Sequence, residues 1–237
     1  MIMMVGLAGC LSPQEQAEPP KSQERRTPVV MFLGDSYSVG VKPVTASTSY
    51  AAETARILRW QVIIGGEGGT GLVSPGRHGN TFSLLFDEHL SWRPTPDMVI
   101  ISGGHNDFPY PPSLVGMATR QLIQKVAARW PTVKIVLIGP IWGGDPIPEM
   151  LPIRDAMQAV AQELRVPFVD PLAEQWFTGK KAKNTGNASR FILKDGVHPT
   201  ELGHRYMADR LASDLRKLGL ADPTGAVAQP SPKPGGN

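Results

Sequence analysis

Five short, nearly unbroken apolar runs recur along this chain: VVMFLG (29–34), WQVIIG (60–65), MVIISG (98–103), KIVLIG (134–139) and VPFVD (166–170). They lack the polar alternation of a half-exposed strand, as expected for parallel strands covered on both faces. Helical spacing fills the intervals. Val115, Ala118, Leu122 and Val126 mark one face, and Ile153, Met157, Val160 and Leu164 another. Met207, Leu211, Leu215 and Leu218 mark the last, with Thr200 as its N-cap and Glu201 in its first turn. The alternation predicts one three-layer α/β domain built on a parallel sheet.

In such folds ligand chemistry gathers in loops at the carboxyl ends of the strands. Four unusual clusters fall there. Gly34-Asp35-Ser36 ends the first run, and a glycine loop, GGEGGTG (65–71), ends the second. Gly103-Gly104-His105-Asn106-Asp107 ends the third, and Asp195-Gly196-Val197-His198-Pro199 precedes the last helix.

Ser36 is a weak nucleophile unless a base takes its proton and the developing oxyanion is held. His198 has the right acid–base character. Asp195, three residues before it, can reach the imidazole Nδ1 from a turn and fix the tautomer, which leaves Nε2 for the serine. Each residue also has a bland reading: Ser36 as a helix cap, Asp195 as a turn residue, His198 as a structural histidine. The joint placement at strand ends favours a triad. Histidines 78, 89, 105 and 204 have no comparable Asp-x-x-His-Pro setting. Oxyanion donors are available in the Ser36 amide, an amide of the glycine loop and the side chain of Asn106, whose bland reading is an Asx turn.

The segments GDSYSVG, GEGGTG, GGHNDF and DGVHP, in that order between residues 34 and 199, resemble the sequence blocks of the SGNH (GDSL-type) hydrolase family. The resemblance implies a flavodoxin-like α/β/α sandwich with a five-stranded parallel sheet. It implies Ser36 as nucleophile, His198 as base and Asp195 as its orienting acid. It also implies an oxyanion hole made by the Ser36 amide, Asn106 and a glycine of the second block, and the family spacing points to Gly69 over Gly68. The asparagine that often opens that block is Ile64 here. No cofactor or metal is implied.

Two rival readings fail on context. An α/β-hydrolase elbow requires G-x-S-x-G, and the second residue after Ser36 is Ser38. Gly66, Gly68 and Gly71 spell the dinucleotide-binding G-x-G-x-x-G, with Asp87 and Glu88 about 20 residues on. That motif must open a helix, and Pro75, Gly76 and Gly79 follow instead.

The 24 Lys and Arg against 21 Asp and Glu form no basic stripe, which argues against a nucleic-acid partner. The single cysteine, Cys10, excludes an internal disulfide and a cysteine-clustered metal site. Leu7-Ala8-Gly9-Cys10 resembles a bacterial lipobox, the alternative being an ordinary apolar N-terminus with an incidental cysteine. The organisation read from the sequence is a lipobox remnant at 1–10, a polar tether at 11–27, one hydrolase domain at 28–220 and a disordered tail at 221–237. The protein is expected to be a monomer and exported, either secreted or kept at the cell envelope as a lipoprotein whose only hold on the membrane is a lipid on Cys10. Its expected activity is hydrolysis of short acyl esters of glycans, lipids or other small alcohols. Acyl transfer to envelope glycans, or ligand binding on an inactive scaffold, are the alternatives. Tyr37, Phe108, Tyr110 and Trp142 are candidates to contact substrate, with loop packing as the competing role.

Overall fold

The computed structural model describes residues 26–224. The strands are β1 (Val29–Gly34), β2 (Gln61–Gly66), β3 (Met98–Ser102), β4 (Lys134–Ile138) and β5 (Phe168–Val169), all parallel in the order β2-β1-β3-β4-β5. The first four start within a residue of their apolar runs. The fifth run shrinks to two paired residues between Pro167 and Pro171, whose rings lack the amide donor a longer ladder needs.

Among the described residues seven α-helices connect and follow the strands: α1 (Ser36–Val39), α2 (Tyr50–Leu58), α3 (Phe82–Leu85), α4 (Pro112–Arg129), α5 (Met150–Leu164), α6 (Ala188–Phe191) and α7 (Glu201–Lys217). Alternation along the strands sorts the core into two layers. Val30, Phe32, Met98, Ile100, Val136 and Ile138 pack with Tyr50, Ala51 and Ala55 of α2 and Met207, Leu211 and Leu215 of α7. On the other face Met31, Leu33, Val99, Ile101 and Leu137 meet Phe82 and Leu85 of α3, Val115, Leu122 and Val126 of α4, and Ile153, Met157 and Val160 of α5. Each fully buried Val, Leu, Ile, Phe or Met among them stabilises the fold by about 1.5–3 kcal/mol relative to exposure.

The three predicted helical faces are therefore inward, except that Leu218 lies one residue past the end of α7 and is 44% exposed. Thr200 caps α7, its hydroxyl accepting from the Gly203 amide at 3.1 Å. Helix α2 was not anticipated, because its buried face is largely alanine. It is tied to α7 where the buried His204 Nδ1 accepts from the Tyr50 amide at 3.0 Å.

Because β1 lies between β2 and β3, the connection leaving β1 passes over one face of the sheet and that leaving β3 over the other. A crevice opens between their carboxyl ends. The loops after β1, β2 and β3 all end there.

Candidate active site

Ser36 begins α1, directly after the buried β1. The preceding Asp35 is the N-cap, its Oδ1 accepting from the Tyr37 amide at 3.0 Å. The Asp35 carboxyl is buried, which pushes its pKa up to about 7; the nearby charge of Asp107 adds to the rise and the Tyr37 amide opposes it.

The partner residues arrive on a turn after α6. Leu193 N donates to His198 O at 2.8 Å and Gly196 N to Leu193 O at 3.1 Å, and a bridge joins Ile192 to Pro199. Within this turn Asp195 Oδ1 accepts from the amides of Val197 (2.9 Å) and His198 (3.0 Å). Its Oδ2 lies 2.7 Å from His198 Nδ1, and His198 Nε2 lies 3.1 Å from Ser36 Oγ. Partial burial works against the Asp195 charge. The bonds from the His198 ring and the two amides outweigh it and hold the carboxyl below the usual carboxylate range. A carboxylate facing Nδ1 fixes the proton there and leaves the Nε2 lone pair toward the serine.

Asn106 follows β3 and comes alongside. Its Nδ2 donates to the Thr70 carbonyl at 2.9 Å and makes only a long contact, 3.4 Å, with Asp35 Oδ2. The first bond aims the amide, and the weakness of the second leaves a hydrogen available to a substrate oxygen. The glycine loop forms the facing wall. Gly68 runs beside Ser36, where an added Cβ would stand 3.7 Å from the serine Cβ, and Gly69 has φ +81°, a conformation that favours glycine. Neither amide bonds to a backbone carbonyl, so the geometry leaves both as donors.

A model of the GDSL-like lipase/acylhydrolase family matches residues 32–206. The chain is also 31% identical over 220 residues to a GDSL lipase of Mycobacterium tuberculosis, covering 89% of each protein. The chain belongs to the GDSL-like lipase/acylhydrolase family. It is an ester-hydrolysing enzyme. Solved structures share its fold: a family two carbohydrate esterase from Clostridium thermocellum in complex with cellohexaose (23% identity, TM-score 0.62, 86% of this chain and 67% of that one) and a carbohydrate acetylesterase from Sinorhizobium meliloti (17%, 0.61, 81% and 100%). The aryl esterase of M. smegmatis is a further match (18%, 0.59, 81% and 100%).

In this GDSL hydrolase the glycine loop is no dinucleotide cradle. Residues 67–80 form a closed loop, with a bridge from Thr70 to Pro75 and the Ser74 hydroxyl donating to Gly69 O at 3.0 Å. Its brace is Asp107, which sequence reasoning missed. The buried carboxylate accepts from the amides of Leu72 (3.0 Å), Val73 (2.8 Å) and Ser74 (2.9 Å). A Cβ on Gly71 would come within 2.5 Å of that carboxylate, so only glycine fits beneath the brace. Glu67 accepts from Asn80 and pairs with His78, closing the outer rim.

The cavity of about 740 Å³ over Ser36 is lined by Glu67, Gly68, Gly69, Ser74, Arg77, His105, Asn106, Tyr110 and His198, among others. Of the aromatic candidates, Tyr110 lines it. Trp142 lines a neighbouring cavity of about 400 Å³ and meets Phe108 edge-on at 6.0 Å. Tyr37 is 1% exposed and is a packing residue: its hydroxyl donates to Val197 O at 2.8 Å, and its ring lies 6.1 Å from that of His198. Among the described residues no group of three or more His, Cys, Asp or Glu is placed to hold a metal ion, and no helix is long and apolar enough to cross a membrane. Cys10, most of the proposed tether and most of the proposed tail lie outside the described residues.

Proposed function

We propose that the enzyme hydrolyses carboxylic esters through an acyl-enzyme on Ser36. The observation that carries this is the unbroken chain from Asp195 Oδ2 to His198 Nδ1 (2.7 Å) and from His198 Nε2 to Ser36 Oγ (3.1 Å), set in the wall of the 740 Å³ cavity. Ser36 Oγ attacks the ester carbonyl carbon while its proton passes to His198 Nε2. The carbonyl π electrons move onto oxygen, and the Ser36 and Gly69 amides with Asn106 Nδ2 hold that oxyanion. Collapse re-forms the carbonyl and breaks the bond to the alcohol oxygen, which leaves with the proton from His198. Water repeats the sequence on the acyl-serine: its proton goes to His198, then to Ser36 Oγ as the acid departs. Asp195 stays ionised and stabilises the imidazolium in between.

The lining supports a polar substrate. Charged and hydrogen-bonding side chains outnumber apolar ones around Ser36, set in a wall whose exposed surface is mostly carbon; the polar groups suit a hydrophilic alcohol such as a glycan and the carbon surface a short acyl group. Ser36→Ala is expected to lower kcat on p-nitrophenyl acetate by at least ~10³-fold while the melting temperature stays close to that of the parent. A folded variant with undiminished turnover would overturn the mechanism.

A further inference from the structure

His105 stands immediately before Asn106, and neither the triad nor the oxyanion hole uses it. Its Nδ1 lies 2.8 Å from the carbonyl oxygen of Ile141. A carbonyl can only accept, so Nδ1 carries the proton and Nε2 keeps a lone pair. The ring is fixed in that sense by packing against Tyr37 (centroids 5.3 Å apart) and Trp142 (4.9 Å). A flipped ring would forfeit the Ile141 bond.

The other edge of the ring is free. Among the described residues nothing donates to Nε2, and that nitrogen is not one of the sealed, partnerless polar atoms of the interior. His105 lines the same cavity as Ser36, Asn106 and His198. The residue thus presents a hydrogen-bond acceptor of set direction to whatever occupies the site.

Burial pushes the His105 pKa down to about 4; the Ile141 bond opposes the fall and the His198 charge adds to it. The ring is uncharged at neutral pH and a poor proton acceptor there. What remains is recognition. An apolar alcohol against Nε2 would strip water from the lone pair and return nothing, whereas a hydroxyl would donate to it.

Resting on the acyl-enzyme reading, we propose that His105 is a specificity residue: its Nε2 accepts a hydrogen bond from a free hydroxyl on the alcohol portion of the substrate, selecting esters of polyols and sugars over esters of alcohols without one.

The test compares kcat/KM for glycerol monoacetate and for the acetate of 2,3-dimethoxypropan-1-ol, which differs in having both hydroxyls methylated. The parent enzyme is expected to prefer the first by ~10-fold, the size of one hydrogen bond plus the desolvation of its acceptor. His105→Asn can keep the donor to Ile141 O but lacks the Nε2 position, and its preference is expected to fall to ~1, with the loss appearing in the hydroxylated ester. His105→Gln, which reaches the Nε2 position with a carbonyl acceptor, is expected to restore part of it. A parent ratio near 1, or an unaltered ratio in His105→Asn, would overturn the proposal. The parent ratio is read before any substitution, so a variant that does not fold cannot shelter the idea. Failure of the underlying mechanism has a different signature: Ser36→Ala would then turn over both esters.

Discussion

Ser36 and His198 meet in one hydrogen bond but are held by two different kinds of support. Ser36 is an extension of the sheet. It follows a strand buried along almost its whole length, flanked by β2 on one side and β3 on the other, and its backbone direction is set by α1 and its Asp35 cap. His198 rides on a turn that is largely its own scaffold. The Asp195 side chain is 44% exposed and that of His198 24% exposed, and the turn closes on itself through Asp195, Leu193 and the Ile192–Pro199 bridge. A clasp joins the halves: Tyr37, one residue after Ser36, donates to Val197, one residue before His198. A serine cast by the core tolerates little movement, whereas a histidine on a self-made turn can be disturbed without unfolding the domain.

Asp195 is the place to break the base half hardest. It has two separable tasks, since Oδ1 builds the turn through two amides and Oδ2 sets the tautomer of His198. Asp195→Asn keeps an acceptor for the amides and loses the charged partner of Nδ1. Asp195→Ala loses both. If tautomer control dominates, both variants are expected to fall by ~10²–10⁴-fold in kcat with similar melting temperatures. Near-normal kcat in Asp195→Asn beside an inactive Asp195→Ala would show that the carboxylate matters only as a builder of the turn.

The clasp is the next test. Tyr37→Phe removes one buried hydroxyl and leaves the Val197 carbonyl without that partner. One hydrogen bond is worth about 0.5–1.5 kcal/mol, or a fall of ~1–6 °C in melting temperature for a domain of this size. The loss in kcat is expected to be larger than that stability change suggests, about 5–20-fold, because the freed turn carries the base out of line with Ser36. Measuring kcat and melting temperature on the same preparation decides it. A parent-like kcat would mean that the turn needs no tie to the nucleophile.

How much of this was legible in the sequence follows the same division. The strands and the four loop clusters are local signals: apolar runs announce β1 to β4, and Ser36, Asn106 and the Asp195–His198 pair sit within short segments of distinctive residue types. Helix α2 was silent because Tyr50, Ala51, Ala52 and Ala55 make a buried face without branched aliphatic residues. Asp107 and His105 were missed for a different reason. Their partners are backbone groups, the amides of residues 72–74 and the carbonyl of Ile141, and backbone groups leave no mark in residue identity. Tyr37 carried the same ambiguity as any loop aromatic until its hydroxyl was seen to face Val197 O. The sharpest available signal for Asp107 was that it immediately follows Asn106 in the GGHNDF block.

The mildest test bears on the nucleophile half, through Asp35. Its folded pKa, near 7, lies above the ~3.9 of an unfolded aspartate, so between those values the folded chain holds a proton that the unfolded chain has lost. The associated stability is complete below the unfolded pKa and is lost as pH rises through the folded one, levelling above about 7. Buried His105 and His204, both pushed down to about 4, act in the opposite direction over an overlapping range. They are present in parent and variant alike and cancel in a difference. Asp35→Asn keeps a capping oxygen for the Tyr37 amide but cannot ionise. Its melting temperature minus that of the parent is therefore expected to rise by ~2 °C or more between pH 5 and pH 8, whatever the sign of the difference at either end. A difference that stays constant across that range would mean the carboxyl beside the nucleophile ionises as an ordinary one does, and that the rigid half of the site carries no buried charge at neutral pH that folding opposes.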